Sequence, residues 1–391
     1  MKVLALLSDR PWPPTTGSRV RNAYLWPALQ RLGVEVRLLA LDQTGTLQAG
    51  TAAAAGGLDI ELHLLDRDAW PLRAYHVLRH SYHQWPVSRS LRHRALELAA
   101  SWRPDVVHAE ELRMAAYLPA TGNRVEWKRS VTLHNVESDL LRATGSTALV
   151  WGRRPVEALH RSSLAGFERR AVLGADLALA YSAADLARYR QIYPGATWRA
   201  TRNGTQASAI EPPPPAATRS VLLLGSLGYT PNVQGLYWFL DYVVPLLPSD
   251  IVVTVAGSRA PGAVRRRLAG APVRFVDSPS AVAPLYASHA IAVVPVFQGS
   301  GTRGKILESL AYERAVVTTT PGVAGLELAE GEGFVVADDP RTFAARTARL
   351  LSEPVERTAL ARRGRAAVLE RYDWPVVARE LLAAWSELLR A

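Results

Sequence analysis

Short apolar runs alternate with longer stretches of helical period along almost the whole chain, the pattern of a doubly wound parallel α/β sheet. In the first half, runs at residues 2–7, 34–41, 59–65, 105–108, 130–133 and 175–181 predict strands, with helices predicted over 17–32, 88–102 and 155–173. A second series follows, with strands predicted at 220–224, 251–256, 273–275, 290–296, 315–319 and 334–336 and helices at 231–247, 279–288 and 303–312. Beyond Tyr372 the tail reads as an amphipathic helix ending at Leu389. Between the two series, residues 212–215 are four consecutive prolines, which continue neither a helix nor a central strand. The segment 208–218 is therefore expected to be a stiff, extended connector between domains over 1–207 and 219–372. Two similar α/β units in tandem imply a cleft between them, the usual place for a ligand.

Composition narrows this picture. A length of 391 residues suits two domains, and 48% apolar with 21% charged residues is a globular balance. There is no cysteine, which removes disulfides, thiolate nucleophiles and Cys-based metal sites together and fits a reducing cytoplasm. The amino terminus, Met1-Lys2-Val3-Leu4-Ala5-Leu6-Leu7-Ser8-Asp9, is too short an apolar run for a signal peptide and reads as a first buried strand. No stretch approaches the roughly 18 apolar residues that span a bilayer, so a soluble, cytoplasmic protein is expected. The net charge of +11 has two readings. One is arginine on solvated helix faces. The other is a basic surface facing a phosphorylated acceptor or anionic lipid, with peripheral contact at the inner face of the membrane. No helix-turn-helix, zinc or RNA-recognition signature accompanies the charge, so nucleic acid is not an expected partner.

The most informative chemistry lies at residues 293–308, where a strand leads into Gly299-Ser300-Gly301-Thr302-Arg303-Gly304-Lys305 and then a helix carrying Glu308. Glycines let the backbone approach a ligand, and free N–H groups at a helix start, together with Lys305, favour a phosphate. The run is a literal G-x-G-x-x-G. It nevertheless follows the fourth strand of its series and lacks the ribose-binding acid about 20 residues on, which argues against a dinucleotide. It also spaces like a P-loop, but Ile306 stands where a Ser or Thr must hold magnesium. A phosphate cradle without a metal remains. Glu308, one turn beyond Lys305, is placed to accept hydrogen bonds from two ribose hydroxyls.

Two junctions in the first half have related logic. Pro11 to Asn22 is a proline-fixed loop in which Gly17 precedes a helix and Arg19 or Arg21 could supply charge. His134, followed by Asn135 and Glu137, stands at the carboxyl end of a strand, facing the crevice side of a parallel sheet. There it can bond a sugar hydroxyl or steady a departing phosphate. The run Val106-Val107-His108-Ala109-Glu110 also ends a strand. Asp66-Arg67-Asp68 has the form of a metal-binding D-x-D but has no supporting site nearby, so no metal is expected there.

Together these residues resemble the retaining GT-B glycosyltransferases of family 4, over almost the whole chain. The P-P-x-x-G loop at 13–17 is similar to that family's donor-side glycine loop, and His134-Asn135-Val136-Glu137 to its histidine segment. Asn203-Gly204, Leu224-Gly225-Ser226-Leu227 with Pro231-Asn232, Pro295 with 299–308, and Asp373-Trp374 follow in the family's order.

The resemblance implies two Rossmann-like domains facing across a cleft, with the final helix, 373–391, crossing back to the first domain. It implies a metal-independent transfer, with retention, from a nucleotide-diphosphate sugar to a glycan, lipid-linked or small-molecule acceptor, and no cofactor. Glu308 would take the ribose, Gly225 or Ser226 the base or phosphate, and Arg303 and Lys305 the diphosphate. Gly17, Ser300, Gly301 and Thr302 would complete the donor site. His134 would touch the sugar, and Trp12, Arg19, Arg21, Asn135 and Glu137 would form the acceptor side. Two departures stand out: Ser300 replaces the first of two glutamates eight positions apart, and residues 226–234 contain neither Arg nor Lys. A sugar-nucleotide epimerase of the same architecture and a non-catalytic anion-binding protein are the rival expectations.

Overall fold

The computed structural model describes residues 1–42, 57–65, 88–119, 127–134, 154–297 and 304–391, the backbone alone over 154–163. The chain divides into two compact units: residues 1–203 with 377–391, and residues 204–376.

The first unit is built on a seven-stranded sheet: β1 (Lys2–Leu7), β2 (Glu35–Asp42), β3 (Asp59–Leu64), β4 (Val106–Glu110), β5 (Lys128–Leu133), β6 (Leu177–Ala180) and β7 (Trp198–Ala200). All are parallel, in the order β3-β2-β1-β4-β5-β6-β7. Strands β1, β4 and β6 are buried almost throughout, because helices on both faces of a parallel sheet leave no strand face wet. Helix Gly17–Arg31 is capped by Thr16, whose side chain accepts from the Arg19 amide. The short edge strand β7 was not among the predicted runs; Trp198-Arg199-Ala200 is too brief and too polar to register as one.

The second unit repeats the plan with β8 (Ser220–Leu224), β9 (Val252–Gly257), β10 (Arg274–Asp277), β11 (Ile291–Val294), β12 (Ala315–Thr318) and β13 (Phe334–Val336). These too are all parallel, ordered β10-β9-β8-β11-β12-β13. The single helix expected over 231–247 is instead three pieces. Helix Thr230–Trp238 passes into a π turn over Phe239–Val243 and a 3-10 turn over Val244–Leu246. Pro245, lacking an amide hydrogen, breaks the regular ladder.

The proline segment packs on the second unit rather than standing free. Arg314 donates to the carbonyls of Pro213 and Pro214, at 3.3 and 2.8 Å, and Arg365 donates to Ala207 and Ile210, at 3.1 and 2.7 Å. Prolines leave carbonyls without a ladder partner, and arginine forks take them up. Just upstream, Thr205 and Asp373 form a parallel bridge, and the Ser208 amide donates to Asp373 at 3.1 Å. A Cβ on Gly204 would fall 2.7 Å from the Trp374 ring, so the absence of a side chain at Gly204 makes room for Trp374.

After Val376 the chain rejoins the first unit. There Trp385 is fully buried, stacked on Trp26 at 6.3 Å between centroids, edge-on to His108, and donating to Ser130 at 3.2 Å. No helix among the described residues is long and apolar enough to cross a membrane.

Candidate active site

In each sheet the strand order reverses beside the first strand, and ligands of open α/β sheets collect at the carboxyl ends of strands at such a point. In the first unit the reversal lies between β1 and β4, and in the second between β8 and β11. The loop after β1 begins at Ser8, β4 ends at Glu110, β8 runs into Gly225, and β11 runs toward the glycine-rich loop.

In the first unit this edge is organised by Glu110, whose carboxylate is fully buried. It accepts from Arg21 Nε at 2.9 Å, His108 Nε2 at 3.1 Å, His134 Nε2 at 2.9 Å and the Tyr181 hydroxyl at 3.0 Å. Burial opposes its ionisation, but the charge of Arg21 and the hydrogen bonds from the two histidines outweigh it and hold the carboxyl well below its usual range. Burial pushes Tyr181 well above the usual phenol range and His108 below the usual imidazole range.

His134 stacks on Tyr181, with centroids 4.3 Å apart, and is also hydrogen-bonded to it. Its Nδ1 lies 3.7 Å from Glu111, which is bonded in turn by Ser18 from the first turn of helix Gly17–Arg31. His134 is thus oriented on both nitrogens while remaining 18% exposed. Glu111 carries a backbone at φ 81, ψ 147 that side chains rarely adopt, a form of strain that collects at functional sites.

Arg21, expected on the acceptor side, lies in the core of the first unit. It is 1% exposed, paired with Glu110, donates to the Arg202 carbonyl at 2.8 Å and lies over the Tyr181 ring. The helical period turns Arg21 into the core while Arg19, two residues earlier, faces the loop. Arg19 grips Asp9 with two bonds of 2.6 and 3.0 Å. Trp12 is half-buried in the same loop, and Gly17 is exposed at the helix start. Asn135 and Glu137 lie outside the described residues, as do Asp66 and Asp68.

In the second unit, the Gly225 amide donates to the Ala256 carbonyl at 3.1 Å, and the Ser226 carbonyl accepts from Asn232 at 3.0 Å. A Cβ on Gly235 would run into the Pro295 carbonyl, so this glycine lets the helix after β8 press against the end of β11. Thr318 bonds the Val294 carbonyl at 2.7 Å, steadying the approach to the glycine-rich loop. Ser300, Gly301, Thr302 and Arg303 lie outside the described residues. Helix Gly304–Ala311 then carries Lys305 and Glu308 on one face, paired at 2.6 Å and respectively 42% and 25% exposed. Tyr286 donates to the same Glu308 oxygen at 3.3 Å. Lys305, expected at the phosphate, and Glu308, expected at the ribose, thus lie side by side and part-exposed. Among the described residues no group of three or more His, Asp or Glu could hold a metal.

The Glu110 hub, with Tyr181 and Glu111, was not among the candidate residues. The strand-ending run Val106–Glu110 was its one visible signal, and Tyr181, at the end of β6, carried none. The hub makes stability acid-sensitive. His108 has a folded pKa below its ordinary 6.5, so stability present above that pH is lost as protons are forced onto a buried ring. Glu110, depressed below 4.5, adds stability that disappears as pH falls further through its folded value. Chemical denaturation midpoints should be level between pH 8 and 7, fall below 6.5 and fall again below 4.5. A midpoint that rises from pH 7 to 5.5 would contradict this assignment.

Known proteins share the fold and part of the sequence. Residues 218–353 match the family described as glycosyl transferases group 1. A Klebsiella pneumoniae protein, described as an uncharacterized 44.6 kDa protein in the cps region, is 30% identical over 136 residues. That stretch is 32% of this chain and 35% of the relative, so the match spans about a third of the relative's length. Among solved structures, sucrose-phosphate synthase from Thermosynechococcus elongatus superposes with a TM-score of 0.71 at 16% identity, covering 100% of both chains. Anabaena HepE in complex with UDP-glucose superposes with a TM-score of 0.66 at 13% identity, covering 99% of this chain and 100% of that one. The fold is GT-B.

Proposed function

We propose that this chain, whose residues 218–353 form a glycosyl transferases group 1 domain within a GT-B fold, moves a sugar from a nucleoside-diphosphate donor to an acceptor. One observation carries the reading. Following β11, which borders the reversal point of the second sheet, helix Gly304–Ala311 presents Lys305 and Glu308 together, both part-exposed.

The donor's diphosphate rests on that turn, with Arg303, Lys305 and backbone amides meeting the charge that develops as the sugar leaves. Positive side chains and a helix start take the part a metal ion plays elsewhere, so no metal is required. Glu308 accepts from the ribose, with Gly225 and Ser226 beside the base or phosphate. His134, held by Glu110, contacts the sugar, and the loop carrying Trp12 and Arg19 serves the acceptor. Transfer with retention follows from attack on the face the leaving group vacates, the departing diphosphate accepting the acceptor's proton. The basic charge suits a phosphorylated or lipid-linked acceptor, with peripheral contact at an anionic membrane.

A thermal-shift screen against UDP, GDP, dTDP and ADP sugars tests the reading, starting with UDP-glucose, which the fold relative HepE holds. At a hundredfold excess over Kd the correct donor adds about 2.7 kcal/mol. For a unit of this size that is a rise of roughly 5–10 °C in Tm. No shift with any of the four would sink the proposal.

A further inference from the structure

Five non-glycine residues among those described have a left-handed backbone: Arg103, Glu111, Arg259, Ser278 and Glu313. Arg103 and Glu313 stand just past the ends of helices Arg89–Ser101 and Gly304–Ala311, where such a residue commonly closes a helix. The other three stand at carboxyl ends of parallel strands: Glu111 after β4, Ser278 after β10 and Arg259 two residues past β9. Arginine at φ 59 crowds its own backbone, so the position calls for a reason other than local folding.

Arg259 is exposed, and its side chain makes no ion pair or hydrogen bond among the described residues. Nearby arginines are engaged, Arg265 by Asp277 and Arg267 by Asp241. The loop holding Arg259 runs alongside the loop after β8: the Leu227 amide donates to the Ser258 carbonyl at 2.8 Å. A Cβ on Gly228 would lie 3.0 Å from both the Cβ and the carbonyl oxygen of Arg259 and 3.8 Å from its Cδ. The arginine side chain is thus laid along the loop that carries Gly225 and Ser226. That loop has no cation of its own, since residues 226–234 contain neither Arg nor Lys.

We propose that Arg259 supplies this cation from the loop after β9, as a donor-binding residue whose guanidinium holds the pyrophosphate of the nucleotide. This rests on the glycosyltransferase reading above. A guanidinium fork can meet two phosphate oxygens at once and keeps its charge at any working pH. The left-handed backbone turns the side chain back over Gly228, and the absent Cβ there leaves it room.

The test is calorimetric. Wild-type protein is titrated with UDP, GDP, dTDP and ADP, and the tightest of these is carried forward with its parent nucleoside, the latter measured by competition. Arg259→Ala and Arg259→Gly should each weaken the diphosphate by about tenfold or more, the scale of a lost charge-assisted contact, and leave the nucleoside unchanged. Arg259→Gly suits the left-handed backbone, so a loss there reports the guanidinium and not a distorted loop. Arg266→Ala, removing an exposed arginine of the next helix, should change neither. Unchanged diphosphate affinity in both Arg259 variants, or equal losses for diphosphate and nucleoside, would overturn the assignment. A wild-type protein that binds none of the four diphosphates would overturn the glycosyltransferase reading and this inference with it.

Discussion

Replacing Glu110 by alanine should cost the first unit about 3–5 kcal/mol, the range found when one partner of a buried ion pair is removed. The reason is what remains. Arg21 is 1% exposed and would keep its charge without its ion-pair partner among the described residues, while His108, His134 and Tyr181 would each lose an acceptor. Burial of an unpaired guanidinium is the dominant loss. Glu110→Gln keeps the shape and some of the hydrogen bonds but not the charge, so its loss should be smaller. Denaturant unfolding followed by a probe in the first unit, such as the Trp26–Trp385 pair, reads this directly. Stability within about 1 kcal/mol of wild type in Glu110→Ala would mean that Arg21 finds another partner and the hub is not the organising element.

The second large effect is catalytic and should leave the fold untouched. Lys305 and Glu308 form a pair on a helix surface, and pairs of that kind contribute roughly 0–1 kcal/mol. Lys305→Ala and Glu308→Ala should therefore melt within that margin of wild type. Turnover should nevertheless fall by about 10²–10³ in Lys305→Ala, as when one stabilising donor is removed from a transition state. Glu308→Ala should act chiefly through donor binding and raise KM for the nucleotide sugar. Release of nucleoside diphosphate from the donor found in the thermal screen is the readout. Near-normal turnover in both variants would remove the helix Gly304–Ala311 from the site.

Much of the architecture was legible from pattern alone. Strands buried on both faces read as apolar runs wherever they occur, so β1, β4, β8, β11 and β12 are visible without tertiary knowledge. The glycine-rich turn is equally local, because the residues that allow close backbone approach and the Lys305–Glu308 pair lie within one short segment. The chain divides between residues 203 and 204, upstream of the four prolines, which pattern could not show strapped to the second unit by Arg314 and Arg365.

Other features were hidden because their meaning depends on contact. Arg21 and Arg19 differ by two positions in one loop-to-helix segment and look equally available, yet the helical turn sends one into the core and the other to Asp9. Arg259 is an unremarked arginine in sequence, and only the pairing of the β8 and β9 loops sets it beside Gly228.

The sequence by itself determined two parallel α/β units, since strands and helices are properties of neighbouring residues and their period. The tertiary structure alone decided that Glu110 is the centre of the first unit's polar edge. Its partners come from residues 21, 108, 134 and 181, and the adjoining core is closed by Trp385, 255 positions from the Ser130 it bonds. Charge compensation in a dry interior acts through distance in space, and spacing along the chain carries no record of it.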